Sequence, residues 1–290
     1  MSAAPPQQTI AGRTSVTGFG YWTGEDVCIE FRPAPIDAGI TFVRADIGPQ
    51  VRVAARVEHR NEAPRRTNLC RGQAEVHMVE HVLAALAGLE IDNCEVWTNR
   101  PEMPGCDGSS GPFVDALFRA GLVRQDASAH YLRITDPVRV VEGESWIEAR
   151  PSQADQLHIE YQLDYPRHSV IGRQVARITA TPERFRRELA SCRTFVLESE
   201  AEEMVRQGLG LRVTPRDLLV FNEAGPVDNR LRYPNECARH KALDVLGDLA
   251  LVGCRVAGEI TAHRSGHRLH AELTRKLLER FASVPLKASA

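Results

Sequence analysis

The sequence predicts an α+β protein built of two similar domains, and three observations carry that expectation. Strand-like segments followed by helix-like segments occur in the first half and again, in the same order, in the second. Residues 79–89 are apolar around almost the whole circumference, as a helix buried between layers must be. Residues 235–252 form a second helix with His240, Asp244 and Asp248 at successive four-residue steps. At 290 residues the chain exceeds one comfortable core, which fits a division into residues 1–126 and 127–290.

Taken in order, residues 26–32, 40–47, 51–57 and 93–98 read as strands, with Gly, Pro and Asp at the joins. The buried helix 79–89 precedes the last of these, and 112–121 follows as another helix. The polar run 126–129 reads as a break, after which strands resume at 131–134, 145–149, 157–163 and 174–178. Thr181-Pro182-Glu183 starts a helix, with Thr as N-cap and Pro at N1, running to about residue 191. Ser199-Glu200-Ala201-Glu202 reads as a capping box and Gly208 as that helix's stop. A strand at 218–221 leads to the helix 235–252, whose core-facing stripe is Ala242, Leu243, Leu246, Leu249 and Ala250, opposite the His-Asp-Asp column. Strand 255–263 then turns through Ser265-Gly266 into a last helix, 267–281, with Leu269, Leu273, Leu277 and Phe281 at four-residue steps.

Composition narrows the function classes. With 43% hydrophobic and 26% charged residues and a formal net charge of −2, the chain is globular and lacks the basic excess of a nucleic-acid binder. No apolar run approaches the roughly 20 residues that span a bilayer. Residues 1–8 lack the basic and apolar regions of a signal peptide and read as a short tail. Seven scattered cysteines without a C-x-x-C fit free thiols in a reducing cytoplasm and argue against a cysteine-ligated zinc site.

The column His240, Asp244, Asp248 is open to two readings: a solvated polar face with helical salt bridges, or half of a cation site. Glu80 and His81 bear on the choice, because they are the only ionisable residues within an otherwise apolar helix. Burying either alone costs several kcal/mol or forces it neutral. A histidine beside an acidic neighbour is the arrangement of zinc hydrolases that use Glu as base. His81, His240 and Asp244 would make a His₂Asp set with an open position, the catalytic rather than the structural pattern. His267 opens a helix, whose N-terminus disfavours a charged imidazole; to work protonated it needs a carboxylate, and Asp248 is the natural one. His263 and His270 read as surface or structural. Asp107-Gly108-Ser109-Ser110 reads as a turn with Ser or Asp capping the next helix.

These residues resemble one family closely: the zinc-dependent UDP-3-O-acyl-N-acetylglucosamine deacetylases of lipid A synthesis. Nine blocks stand in the family's order: Thr17-Gly18-x-Gly20-x-x-Thr23-Gly24, Arg32-Pro33-Ala34-Pro35, Val79-Glu80-His81, Asp92-Asn93, Pro101-Glu102-x-Pro104, Asp107-Gly108-Ser109, Arg193-Thr194-Phe195, Arg239-His240-Lys241-x-x-Asp244-x-x-Gly247-Asp248-Leu249 and Ser265-Gly266-His267. The resemblance implies two β-α-α-β domains with helices sandwiched between sheets, each domain carrying an insert; the second, about 196–220, forms an apolar passage for an acyl chain. It implies Zn²⁺, with Fe²⁺ almost as suitable, on His81, His240 and Asp244. Glu80 would be the general base, Thr194 and protonated His267 would hold the oxyanion, and Asp248 would orient His267. Lys241, Phe195, Leu69 and Arg212 would meet the substrate. The implied protein is a cytoplasmic monomer acting on a small UDP-acyl-aminosugar, without nucleic acid or a transmembrane segment.

The chain departs from the family at Trp22, where a histidine is usual, at Arg212 and Val213, where paired glycines are usual, and at Met78. Glu198, Glu200, Glu202 and Glu203 make the second insert polar. Two other readings therefore stand beside the deacetylase: a zinc amidase on a different acylated amino sugar, and a catalytically silent metal-binding homologue.

Overall fold

The computed structural model describes residues 4–166 and 169–281; the expected tail's residues 1–3 and the last stretch, 282–290, lie outside the described residues. The fold is mixed α+β, with several sheets and, among the described residues, six α-helices: α1 (Glu80–Gly88), α2 (Gly111–Ala120), α3 (Pro182–Glu188), α4 (Glu198–Arg206), α5 (Glu236–Leu249) and α6 (His267–Phe281).

Two sheets share one strand order. In the first, Thr14–Phe19, Asp26–Pro33, Cys94–Thr98, Ile40–Arg44 and Arg52–Ala54 lie side by side. The central strand, Cys94–Thr98, is antiparallel to Asp26–Pro33 and parallel to Ile40–Arg44. In the second, Val138–Glu142, Ser145–Arg150, Arg255–His263, Leu157–Asp164 and Arg173–Thr179 repeat the arrangement. Here Arg255–His263 is antiparallel to Ser145–Arg150 and parallel to Leu157–Asp164, and Tyr131–Arg133 adds a strand parallel to it. In both halves the last strand of the sheet arrives after a helix, α1 or α5. Strand alternation explains the layering: Leu157–Asp164 buries every second side chain, giving the sheet one covered and one solvated face. α5 packs on that strand, on α6 and on α1.

The helices α1 and α5 approach each other very closely. A methyl group at Gly247 of α5 would stand 2.1 Å from the carbonyl oxygen of Glu80 and 3.2 Å from the Ala84 nitrogen of α1. Only glycine fits there. α5 is consequently buried nearly all round, with His240, Asp244 and Asp248 as inaccessible as Leu243 and Leu249. The expected two-faced helix is corrected on this point: its polar column faces α1 and α6, not solvent.

Other corrections concern polar segments. Residues 126–129, read as a break, belong mostly to the strand Leu122–Ser128, which pairs with Pro6–Ile10. Its side chains are largely exposed, so polarity there records solvent and not the absence of a ladder. α3 stops at Glu188, three residues early, although Thr181 caps it as expected, its Oγ1 accepting the Arg184 N–H. α4 starts at Glu198, so Ser199 lies inside it; the Glu200 carboxylate accepts the Leu197 N–H at 3.2 Å. The strands expected at 40–47 and 51–57 end sooner, at Arg44 and Ala54, and the last turn of 235–252 is a 3₁₀ turn, Ala250–Val252. All seven thiols are free. No helix among the described residues is long and apolar enough to cross a membrane.

The close contact makes a test. Intrinsic helix propensity favours alanine over glycine by about 1 kcal/mol, yet overpacking a core costs about 1–3 kcal/mol. Gly247→Ala should lower the urea midpoint; a higher midpoint would show that α1 and α5 have room to spare.

Candidate active site

The N-terminal turn of α1 brings Glu80 and His81 against the middle of α5. His81 is tied at its backbone, where the Ser110 hydroxyl donates to its carbonyl at 2.8 Å. His240 is fixed by its ring: Nδ1 lies 3.1 Å from the Cys192 carbonyl, so that nitrogen donates and Nε2 is left with a lone pair. Asp244, one turn along α5, directs Oδ1 between the two imidazoles. It stands 3.4 Å from His240 Nε2 and 3.7 Å from His81 Nε2, and the rings meet edge-on with centroids 5.0 Å apart.

Asp244 Oδ1 is buried and finds no hydrogen-bond partner among the described residues. A buried carboxylate oxygen left bare costs several kcal/mol. Here it faces two imidazole nitrogens, with one donor atom from each of the three residues within 4.8 Å of the others. Two imidazoles and one carboxylate are a donor set that a divalent cation completes, so the residues fit a metal. Burial pushes His240 down to about 3, against the pull of Asp244, which keeps it neutral as a ligand must be. Burial also opposes the charge on Asp244, but His240 and Lys241 act the other way and hold it well below the usual carboxylate range. The Lys241 ammonium lies 2.9 Å from Oδ2 and helps keep Asp244 ionised. Lys241, expected at the substrate, thus flanks the Asp244 carboxylate and keeps a quarter of its side chain exposed.

A second set of groups adjoins the first. Thr67 donates its backbone N–H to Glu80 Oε2 at 2.9 Å and its hydroxyl to Asp248 Oδ1 at 2.6 Å. Asp248 Oδ2 receives two imidazoles, His267 Nδ1 at 2.8 Å and His270 Nδ1 at 2.7 Å. Burial raises the Glu80 carboxyl above its ordinary value, with His267 and His81 pulling it back, which suits a group that must hold and release a proton. Burial disfavours a charged His267, but the Asp248 carboxylate overrides it and pushes the imidazole up to about 9. Asp248 is itself held well below the carboxylate range: burial works against its charge, and the two histidines outweigh it. His267 is thus a cation at neutral pH despite its place at a helix N-terminus. His270, read as surface or structural, is fully buried and converges on the same carboxylate. His263 stacks on Trp146, away from this set.

Phe195 reaches the site because its neighbours are anchored. Arg193 is buried in an ion pair with Glu236, Nε to Oε1 at 2.8 Å, and the Thr194 N–H donates to the Gly108 carbonyl at 2.8 Å. The Asp107-Gly108-Ser109-Ser110 turn is therefore a brace for both Thr194 and His81. Phe195 meets the His240 ring edge-on, centroids 6.4 Å apart, and Tyr165 and Phe221 extend an aromatic wall behind it.

Leu69 is placed otherwise than expected: it has no exposed surface, and its strand, Asn68–Arg71, packs it into the core. Arg212 turns onto the first half, with Nη1 2.6 Å from Asp26 Oδ1, 3.1 Å from the Gly24 carbonyl and its guanidinium over the Phe19 ring. It clamps the second insert to the hairpin 14–33. Trp22 donates its N–H to Glu102 and carries the Arg66 guanidinium 4.2 Å above its ring. Thr67 is the residue that sequence reasoning missed altogether; no local pattern marks a loop threonine that binds two distant carboxylates.

Comparison with known proteins covers nearly the whole chain. Residues 7–279 match the family described as UDP-3-O-acyl N-acetylglycosamine deacetylase. A UDP-3-O-acyl-N-acetylglucosamine deacetylase from Anaeromyxobacter sp. (strain Fw109-5) is 40% identical over 273 residues, covering 94% of this chain and 88% of its own. Proteins of that name from Psychrobacter arcticus and Pseudomonas entomophila are 38% and 36% identical, each over 94% of this chain and over 85% and 90% of their own.

The charge on His267 can be tested directly. Its imidazole should titrate near pH 9 in an NMR titration. In Asp248→Asn the main opposing charge is gone while burial and the weaker pull of Glu80 and Asp244 remain, so the titration should fall toward the ordinary histidine value of about 6.5. An unchanged midpoint would mean that Asp248 does not hold the proton.

Proposed function

The chain belongs to the UDP-3-O-acyl N-acetylglycosamine deacetylase family, and we infer from that membership and from the site that it hydrolyses the acetamide of UDP-3-O-acyl-N-acetylglucosamine. The products are UDP-3-O-acyl-glucosamine and acetate, the committed step of lipid A biosynthesis. The observation that carries the reading is the bare Oδ1 of Asp244 facing two imidazole nitrogens, one of them on His81, the residue next to the buried Glu80. His81, His240 and Asp244 would hold Zn²⁺, or Fe²⁺, and the ion when bound would polarise the acetamide carbonyl and lower the pKa of water.

The side chains then divide the proton work. Glu80 accepts a proton from the attacking water as its oxygen bonds to the carbonyl carbon. The carbonyl electrons move to oxygen, and the oxyanion accepts hydrogen bonds from His267, through Nε2, and from the Thr194 hydroxyl. Asp248 keeps His267 charged and aimed. Cleavage of the C–N bond needs a proton on the leaving nitrogen, delivered by Glu80 or His267, and acetate departs. Lys241, beside Asp244, and Phe195, on the aromatic wall, would contact the sugar end of the substrate. The segment 196–220, which leaves Val205 and Leu211 exposed, would supply the acyl passage. Arg212, clamped to Asp26, would set the mouth of that passage and not line it.

We also read the chain as two domains, 1–126 and 127–290, with α1 and α5 sandwiched between their sheets, on the support of the shared strand order. The junction falls near the end of the strand Leu122–Ser128, which returns to pair with Pro6–Ile10. Free thiols support a cytoplasmic place. A different acylated amino sugar is the second reading, favoured by Arg212 and the glutamates of the insert. A silent homologue is disfavoured, since a structural metal needs neither Glu80 nor His267.

Acetate release by zinc-loaded protein, run beside Glu80→Ala, decides the matter. Losing one general base usually costs on the order of 10²–10⁴ in rate, and chelation should abolish activity that added zinc restores. A wild type that binds zinc yet is no faster than Glu80→Ala would contradict the catalytic reading.

A further inference from the structure

His270 has no part in the proton transfers described, yet it is buried as completely as any residue of the core. Both its ring nitrogens are engaged: Nδ1 with Asp248 Oδ2 at 2.7 Å and Nε2 with Ser265 Oγ at 2.9 Å. Ser265 is in turn held by its carbonyl, which accepts the hydroxyl of Tyr161. On the other side the His270 carbonyl accepts the Thr274 hydroxyl at 2.8 Å. Burial pushes the imidazole down, so the ring is neutral and presents Nδ1–H to the carboxylate while Nε2 accepts from Ser265.

We propose that His270 is a positioning residue for the deacetylation: its Nδ1–H fixes the plane of the Asp248 carboxylate so that Oδ2 stays aimed at His267. The inference rests on the deacetylase reading above. A carboxylate turns easily about its last side-chain bond, whose torsion is broad and roughly two-fold. With only Thr67 on Oδ1 and His267 on Oδ2, both bonds could be kept while the group swings and drags the His267 ring with it. A third donor, arriving from one turn further along α6, removes that freedom. His267 and His270 are three apart on the helix and meet edge-on, ring centroids 5.9 Å apart, so one carboxylate oxygen serves both. The acceptor-only Asp248 carboxylate puts the His270 proton on Nδ1, and Ser265 holds the far side of the ring at Nε2. Productive geometry tolerates little looseness, which is why such a bond acts on turnover and not on binding.

Two amides separate this role from simple core filling. In His270→Asn the side-chain nitrogen can occupy the place of Nδ1; in His270→Gln it reaches the place of Nε2. Steady-state acetate release is measured for both, with melting temperatures. His270→Asn should keep kcat within about threefold of wild type, and His270→Gln should lose roughly tenfold or more with KM little changed. Equal kcat values in the two folded variants, both high or both low, would overturn the proposal. A second pair reads the same link should the glutamine variant fail to fold: Ser265→Ala should lower kcat in the wild-type protein and not in His270→Asn. An equal loss in both backgrounds would overturn it. Absence of acetate release from the wild type would instead sink the deacetylase reading, a distinguishable result.

Discussion

The contact of the Gly247 backbone in α5 with the Glu80 carbonyl in α1 is the constraint on which the site depends. A side chain as small as a methyl would stand 2.1 Å from that oxygen. Gly247 lies between Asp244 and Asp248, so the two helices touch between two carboxylates. On one side Asp244 faces His81, the residue after Glu80. On the other, Asp248 meets Thr67, whose N–H holds Glu80 itself. The first half of the chain supplies Thr67, Glu80 and His81; the second supplies His240, Asp244, Asp248 and His267. Neither half has a site alone, and the distance between them is set by a residue without a side chain.

The second constraint is electrostatic. Glu80, Asp244, Asp248 and Glu236 are all buried, and each burial needs compensation. Glu236 is answered by Arg193, Asp248 by His267 and His270, and Asp244 Oδ2 by Lys241. Asp244 Oδ1 is the oxygen left over. Glu80 accepts the Thr67 N–H. A cation between the three donor atoms would satisfy the one buried carboxylate oxygen that the described residues leave bare.

Much of this was legible in the sequence because it is written in local spacing. The four-residue steps of His240, Asp244 and Asp248 define one column whatever surrounds the helix. Two ionisable residues in an apolar helix required a partner outside it. Period alone could not say whether that column faced water or a second buried layer, and so α5 was read as two-faced. The strand Leu122–Ser128 was hidden for the opposite reason: its exposed polar side chains mask a backbone ladder. His270 did carry a signal, the three-residue spacing from His267 that makes them neighbours on one helix face. Thr67 carried none, since its partners lie 13 and 181 residues away. Leu69 came from family pattern and Arg212 from a departure from it, and neither shows its long-range packing in the sequence: Leu69 lies in the core, and Arg212 pairs with Asp26.

X-ray absorption at the zinc edge of the metal-loaded protein tests the central claim most directly. The arrangement of His81, His240 and Asp244 predicts nitrogen and oxygen neighbours only, with the scattering of two imidazole rings, and loss of one ring in His81→Ala. A sulfur neighbour near 2.3 Å, or a spectrum indifferent to His81, would contradict it.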